Sequence, residues 1–203
     1  MARRDSTAAD QSGSGDTRSR ILSVAAQLFA DKGIGATTVR EIGDRAGVYS
    51  GSLYHWFRSK DEIAAEILST FLGDIHQRFA SVTQDSASPE ATVRGLIAAT
   101  VGVIEDHPAP TAMYQQDRQY LREHGLLERV DEASRGVRGY WMTAIGAGVA
   151  DGSFRDDIPA ETFYRALRDA LWSSMHWPHR SDHSGPRFAE QMAELFLTGY
   201  RSR

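Results

Sequence analysis

Thr38, Arg40, Ser50, Gly51, Ser52, Tyr54, His55 and Lys60 crowd into one stretch, TTVREIGDRAGVYSGSLYHWFRSKDEI at residues 37–63. Hydroxyl, phenol, imidazole and ammonium groups can donate to phosphate oxygens, and glycine and serine let a backbone come close to another surface. Recognition of a nucleic acid is therefore the leading expectation, with enzymology second.

Three helices would hold these groups. Ile21, Val24, Ala25 and Leu28 recur at helical spacing, with Leu22 and Phe29 widening the stripe, which predicts a helix over about 17–32. Asp16 or Thr17 can cap it and Gly33 can end it. Thr38-x-x-Glu41 is a capping box that opens a second helix, with Val39, Ile42 and Ala46 inward. Gly47 supplies a sharp turn with positive φ, and Val48 plugs the gap between helices. A short helix over about 50–56 follows. Its Leu53 and Phe57 point to the core, Tyr54 and His55 point outward, and Gly51 and Ser52 leave room for close approach to a groove. Ser59-x-x-Glu62 starts another helix at Lys60, whose dipole end and ammonium suit a phosphate. A helix, a turn glycine and a short hydroxyl-rich helix in that order have the form of a helix-turn-helix.

Residues 17–63 resemble the N-terminal domain of the tetracycline-repressor (TetR) family, and TTVREIGDRAGV, GSLYHWF and SKDEI are close to the family pattern. The resemblance implies an all-α homodimeric regulator with a DNA-binding head and a variable ligand-binding body. It implies phosphate contacts from Thr38, Tyr54, His55 and Lys60, and base-edge contacts from Arg40, Ser50, Gly51 and Ser52, on double-stranded operator DNA. Trp56 departs from the pattern where a second histidine or tyrosine is common. That bears on the helix end nearest the DNA backbone, not on the fold.

The net charge of −4 is unevenly spread. Residues 17–63 hold seven Lys/Arg against five Asp/Glu, whereas 64–203 hold fourteen against nineteen. A basic head on an acidic body binds DNA locally and discourages non-specific coating. Arg3 and Arg4 lie in MARRDSTAADQSGSGD, a polar Gly/Ser-rich arm read as disordered over 1–16. The domains expected are that arm, the head at 17–63, and a ligand-binding and dimerisation body at 64–203. There are no cysteines, no apolar run of membrane-spanning length and no signal-peptide core, so a cytoplasmic protein without a membrane partner is expected.

Beyond residue 63 no strand alternation is visible. Ile63, Ile67, Phe71 and Ile75 mark a long helix over about 60–82. Ser88-Pro89 opens another, which ends near His107-Pro108. One helix is expected over 110–124 and one over 126–150, the latter with Val137, Tyr140, Trp141, Ala144, Ile145 and Gly148 on one face. Gly136, Gly139, Gly146 and Gly148 each cost roughly 1 kcal/mol of helix propensity, so they should make room for a neighbouring helix or a ligand. Pro159 opens a helix that ends at Trp177-Pro178. It has two stripes: Phe163, Leu167, Ala170, Leu171 and Ser174 on one, and Arg165, Arg168, Trp172 and Met175 on the other. Residues 178–185 read as a loop, and the last helix, 186–200, carries Phe188, Met192, Leu195, Phe196 and Gly199. That makes about nine helices. The resemblance implies that the last two pair with their copies in a homodimer.

For a small-molecule effector the candidate residues are Arg168, Trp172 and Trp141, then Arg118, Tyr114 and Phe71, with Met113 and Ile145 beside them. An arginine next to tryptophan inside a bundle suits a flat apolar ligand with an acidic group. Alternatively, Arg168 pairs with Asp169, Asp117 or Glu161. GSLYHWFRSKDEI, the 113–118 region and RDALWSSMHW look like the actinobacterial regulators of lipid and steroid breakdown in this family. Those repress catabolic genes and release DNA on binding an acyl-CoA thioester, which implies Arg168 and Trp172 at the effector site. The rival readings are a multidrug-sensing repressor, whose pocket should hold acids, and a helical small-molecule-binding protein without a DNA role. No catalytic motif, cofactor loop or metal set is found. His176, His179 and His183 are separated by Pro178, and Glu105-Asp106 sit at a helix C-terminus, where the dipole disfavours acids.

Overall fold

A computed structural model describes residues 7–178 and 184–201. Arg3, Arg4, His179 and His183 lie outside them. Ten α-helices occur among the described residues: α1 Thr7–Lys32, α2 Val39–Ala46, α3 Ser50–Leu53, α4 Lys60–Asp85, α5 Pro89–Asp106, α6 Pro108–Gln116, α7 Arg118–Glu123, α8 Leu127–Ala150, α9 Ala160–Ser173 and α10 Gly185–Tyr200. A 3-10 turn, Ser174–His176, extends α9. The only strand-like feature among these residues is one bridge between Phe154 and Arg201.

Besides the shorter α3 described below, two boundaries differ from expectation. α1 begins at Thr7, so Asp16 and Thr17 are interior to it and not its cap. The single helix expected over 110–124 is two, broken at Asp117 (φ −95°, ψ 16°), which accounts for the tenth helix. The other starts follow local chemistry. Ser88 accepts from the Ala91 amide with proline at the first helical position of α5, and Pro159 precedes α9.

The chain forms two compact units. One contains the helices up to Thr70 together with Ala109–Arg129, and the other contains Phe71–Pro108 and Val130–Arg203. Grouping 109–129 with the helix-turn-helix was not foreseen, and its cause is side-chain pairing. The Asp117 carboxylate accepts from the Ile34 amide at 3.1 Å, and the Tyr120 hydroxyl donates to Asp61 at 2.6 Å. Ile21, Phe29, Ile42, Leu53, Phe57 and Ile63 are buried in this unit, and each such side chain contributes about 1.5–3 kcal/mol.

In the second unit α10 packs on α5 and α9. Arg94 of α5 bonds Glu90, Glu190 and Glu194, and Arg201 bonds Glu90. The Glu105-Asp106 pair, unfavourable at its own helix end, is accounted for here. Asp106 pairs with Arg78 at 2.8 Å, and the Glu105 carboxylate lies against Gly185, at the opening of α10, where a β-carbon would collide with it. Two α8 glycines make room for rings, Gly136 for His76 and Gly148 for Phe154, while Gly139 and Gly146 face open space.

Candidate nucleic-acid interface and effector cavity

The Thr38 hydroxyl accepts from the Glu41 amide at 3.2 Å, and the Glu41 carboxylate accepts from the Thr38 amide at 2.8 Å, so the capping box forms as read. Hydrogen bonds from the Lys32 ammonium and from Thr38 lower the Glu41 pKa to about 2. Gly47 takes φ 65°, ψ 32°, the left-handed turn expected of it. Gly43 is a second requirement: a β-carbon there would lie 2.8 Å from the Val48 carbonyl oxygen, so only glycine lets α2 and the turn approach this closely.

α3 is shorter than 50–56, but helical hydrogen bonding continues from Trp56 and Phe57 to Leu53. Leu53 and Phe57 are buried. Arg40, Gly51, Tyr54 and His55 are exposed, while Ser50 and Ser52 are half-buried. The expected donors therefore share the surface of one small unit. The space above Gly51 is not free as expected, because the Tyr49 ring covers it at 3.2 Å from where a β-carbon would stand.

Two assigned phosphate contacts have internal tasks. The Thr38 hydroxyl serves its cap. The Lys60 ammonium donates to the carbonyls of Gly35 (3.2 Å) and Thr37 (2.9 Å) and sits 5.3 Å from the Tyr120 ring centre. That leaves one of its three N–H donors for a phosphate. At the second predicted box the Ser59 hydroxyl caps the Glu62 amide, but the Glu62 carboxylate accepts from the Arg58 amide rather than from Ser59.

In the second unit, Trp141, Arg168 and Trp172 line one cavity with Ile75, Phe79 and Tyr164. Its free space is about 20 Å³, room for about one water. Edge-to-face rings pack on its tryptophans: Phe79 on Trp141 at 5.9 Å, and Phe71, which does not line the cavity, on Trp172 at 6.2 Å. Arg168 donates to Asp169 at 2.9 and 2.6 Å and lies 5.6 Å from the Tyr164 ring centre. Burial works against its charge, but hydrogen bonds to Asp169 and Tyr164 outweigh it and raise its pKa. Of the three partners considered for Arg168, Asp169 is the one bonded. Glu161 bonds Arg138 and Arg165, and Asp117 bonds Ile34. Ile145 is core and does not line the cavity. Met113, Tyr114 and Arg118 belong to the first unit, where Met113 is buried and Arg118 lies over the Tyr114 ring. Tyr164 was missed as a lining residue; its i+4 spacing to Arg168 was the available signal. A separate open groove of about 640 Å³ beside Gly139 is lined by Ser86, Thr92, Tyr140 and Thr143. No cluster of metal-binding residues and no helix long and apolar enough to cross a membrane occur among the described residues.

A capped helix, a left-handed glycine turn and a short exposed helix define a helix-turn-helix DNA-binding regulator. Residues 21–67 match the family of bacterial regulatory proteins, tetR family, and residues 86–200 match the tetracyclin repressor-like C-terminal domain. The chain belongs to the TetR family. It is 37% identical over 180 residues to the HTH-type transcriptional repressor KstR2 of Mycolicibacterium smegmatis, covering 89% of this chain and 86% of that one. It is 38% identical over 168 residues to KstR2 of Rhodococcus jostii, covering 83% and 82%. The solved structure of the ketosteroid transcriptional regulator KstR2 of Mycobacterium tuberculosis superposes with a TM-score of 0.85 at 33% identity, over 92% of this chain and 95% of that one. The chain is accordingly a ligand-responsive, DNA-binding transcriptional repressor, and its relatives are regulators rather than enzymes.

Proposed function

We propose that this repressor controls genes of steroid or lipid breakdown in the cytoplasm and leaves its operator when an acyl-CoA thioester binds at Arg168 and Trp172. The observation that carries this reading is the cavity itself. One arginine stands among two tryptophans and a tyrosine, a setting for an apolar ring system with an anionic group. The relatives named ketosteroid regulator and KstR2 support the steroid class. The cavity's charged lining residue is Arg168, which argues against a multidrug sensor for cations.

The closed cavity makes a switch intelligible. A thioester would have to part α9 from α4 and α8, and would select a state with those helices displaced. α4 carries Ile75 and Phe79 at the cavity and begins at Lys60 beside the reading helix. A ligand preferring the DNA-incompetent state by about 100-fold supplies roughly 2.7 kcal/mol of coupling.

The DNA side of the proposal places Arg40, Ser50, Gly51 and Ser52 at base edges and Thr38, Tyr54, His55 and Lys60 at phosphates, in two half-sites read by a homodimer. Leu195, 69% exposed on α10, and Trp177, 43% exposed after α9, suit a dimer face of the last two helices. The direct test is tryptophan fluorescence of the full chain titrated with a steroid-derived acyl-CoA. Binding should change the emission of Trp141 and Trp172, and Arg168→Ala should weaken it about tenfold, or roughly 1.4 kcal/mol. Unchanged emission at saturating thioester would discard this effector class.

A further inference from the structure

Tyr49 is the most exposed large hydrophobic residue described, at 84%. A single exposed aromatic needs no explanation by itself, but this one stands where recognition helices meet base edges. Its backbone caps α3, and its carbonyl accepts from the Ser52 and Leu53 amides. Its side chain makes no capping bond. The ring instead lies along the first turn of α3, with Cε1 and Cδ1 at 3.2 and 3.4 Å from the position of a Gly51 β-carbon. Glycine at 51 thus seats the ring closely: a β-carbon there would make the ring give way by a few tenths of an ångström, and a larger side chain by more.

The composition of α3 sharpens the point. Its sequence is Ser-Gly-Ser-Leu, and Leu53 is buried. The other three residues have one side-chain heavy atom beyond Cβ or none at all, so they reach little of a base pair. Only Tyr49 brings bulk to that end of the helix, and the bulk is mostly apolar. In the major groove the apolar feature that distinguishes bases is the thymine C5-methyl group.

We infer that Tyr49 is a specificity-determining residue that packs its ring on a thymine methyl in each half-site, with Gly51 positioning the ring. This rests on reading α2 and α3 as the DNA-binding element. It replaces the base-edge contact proposed above for Gly51 with an indirect role: Gly51 acts on sequence preference by seating the Tyr49 ring.

The test uses the full chain and its highest-affinity operator, obtained by selection from random duplexes. Each thymine of the half-site is replaced by deoxyuridine, which removes only the methyl group. Wild type should lose about 4-fold in affinity at one thymine, the factor for one buried methyl. Tyr49→Ala should bind more weakly and become indifferent to that replacement. Tyr49→Phe should keep the response, because the ring carries it. Gly51→Ala, if its helix content matches wild type by circular dichroism, should blunt the response.

A uridine effect equal in wild type and Tyr49→Ala would overturn the inference. So would Tyr49→Phe losing as much as Tyr49→Ala, which would assign the contribution to the hydroxyl. In both cases DNA binding itself persists, so the regulator reading stands. Selection that enriches no sequence with wild type would remove both.

Discussion

Asp117 offers the sharpest test of how the head is assembled. It is 7% exposed, one oxygen accepts from the Ile34 amide at 3.1 Å, and the other meets no donor among the described residues. Burial raises its pKa, and the bond from Ile34 and the charge of Lys60 only partly offset this. Asp117→Ala removes the acceptor and leaves a buried N–H unpaired, which costs about 1–3 kcal/mol. Asp117→Asn keeps a carbonyl acceptor and removes a charge that burial disfavours. A carboxyl whose folded pKa is raised contributes most below its unfolded value, and that contribution is lost as pH rises through the folded value. Wild type is therefore the handicapped form near neutrality. Asp117→Asn should match or exceed its stability there, and the gap should close as pH falls. Urea denaturation of the three proteins at several pH values from about 3, below the unfolded value of 3.8, up to about 8 measures this. An Asp117→Ala cost under about 0.5 kcal/mol would refute the tether. An Asp117→Asn loss equal to that of alanine would show that the charge, rather than the acceptor, holds the loop.

Four further outcomes follow from the geometry. Thr38→Ala should destabilise by about 1 kcal/mol through loss of the cap. Glu41→Gln should abolish a stabilisation that wild type holds above pH 4.5 and loses as pH falls toward about 2, as acid-unfolding curves would show. Gly148→Ala must displace the Phe154 ring and should cost about 1–3 kcal/mol, whereas Gly146→Ala enters open space and should gain up to about 1 kcal/mol; paired thermal melts separate them. Leu195→Glu should leave the helix content intact and shift the sedimentation equilibrium from dimer to monomer; an unchanged mass would place the dimer face elsewhere.

What was legible in the sequence was local. The Thr38–Glu41 box, the Gly47 turn, the Ser88-Pro89 start and the stripe of Ile63, Ile67, Phe71 and Ile75 are all set by residues within a few positions of one another. What was illegible depends on distant partners. Nothing near Asp117 announces the Ile34 amide, 83 residues away, and so the break between α6 and α7 and the docking of 109–129 with the head were missed. Glu105 and Asp106 looked misplaced until Arg78 and the start of α10 supplied their surroundings. Lys60 sits at a helix start as expected, but the carbonyls of Gly35 and Thr37 claim its ammonium. Arg168, Trp141 and Trp172 were picked by residue type and do share a cavity. Met113, Tyr114 and Arg118, candidates for the same site, lie in the other unit.

Fluorescence anisotropy on DNA from the gene's own upstream region tests the central claim most directly, with a steroid-derived acyl-CoA titrated into the complex and then, separately, its free acid. The account predicts tight binding and release by the thioester alone. Operator affinity that stays unchanged with saturating thioester bound would contradict it.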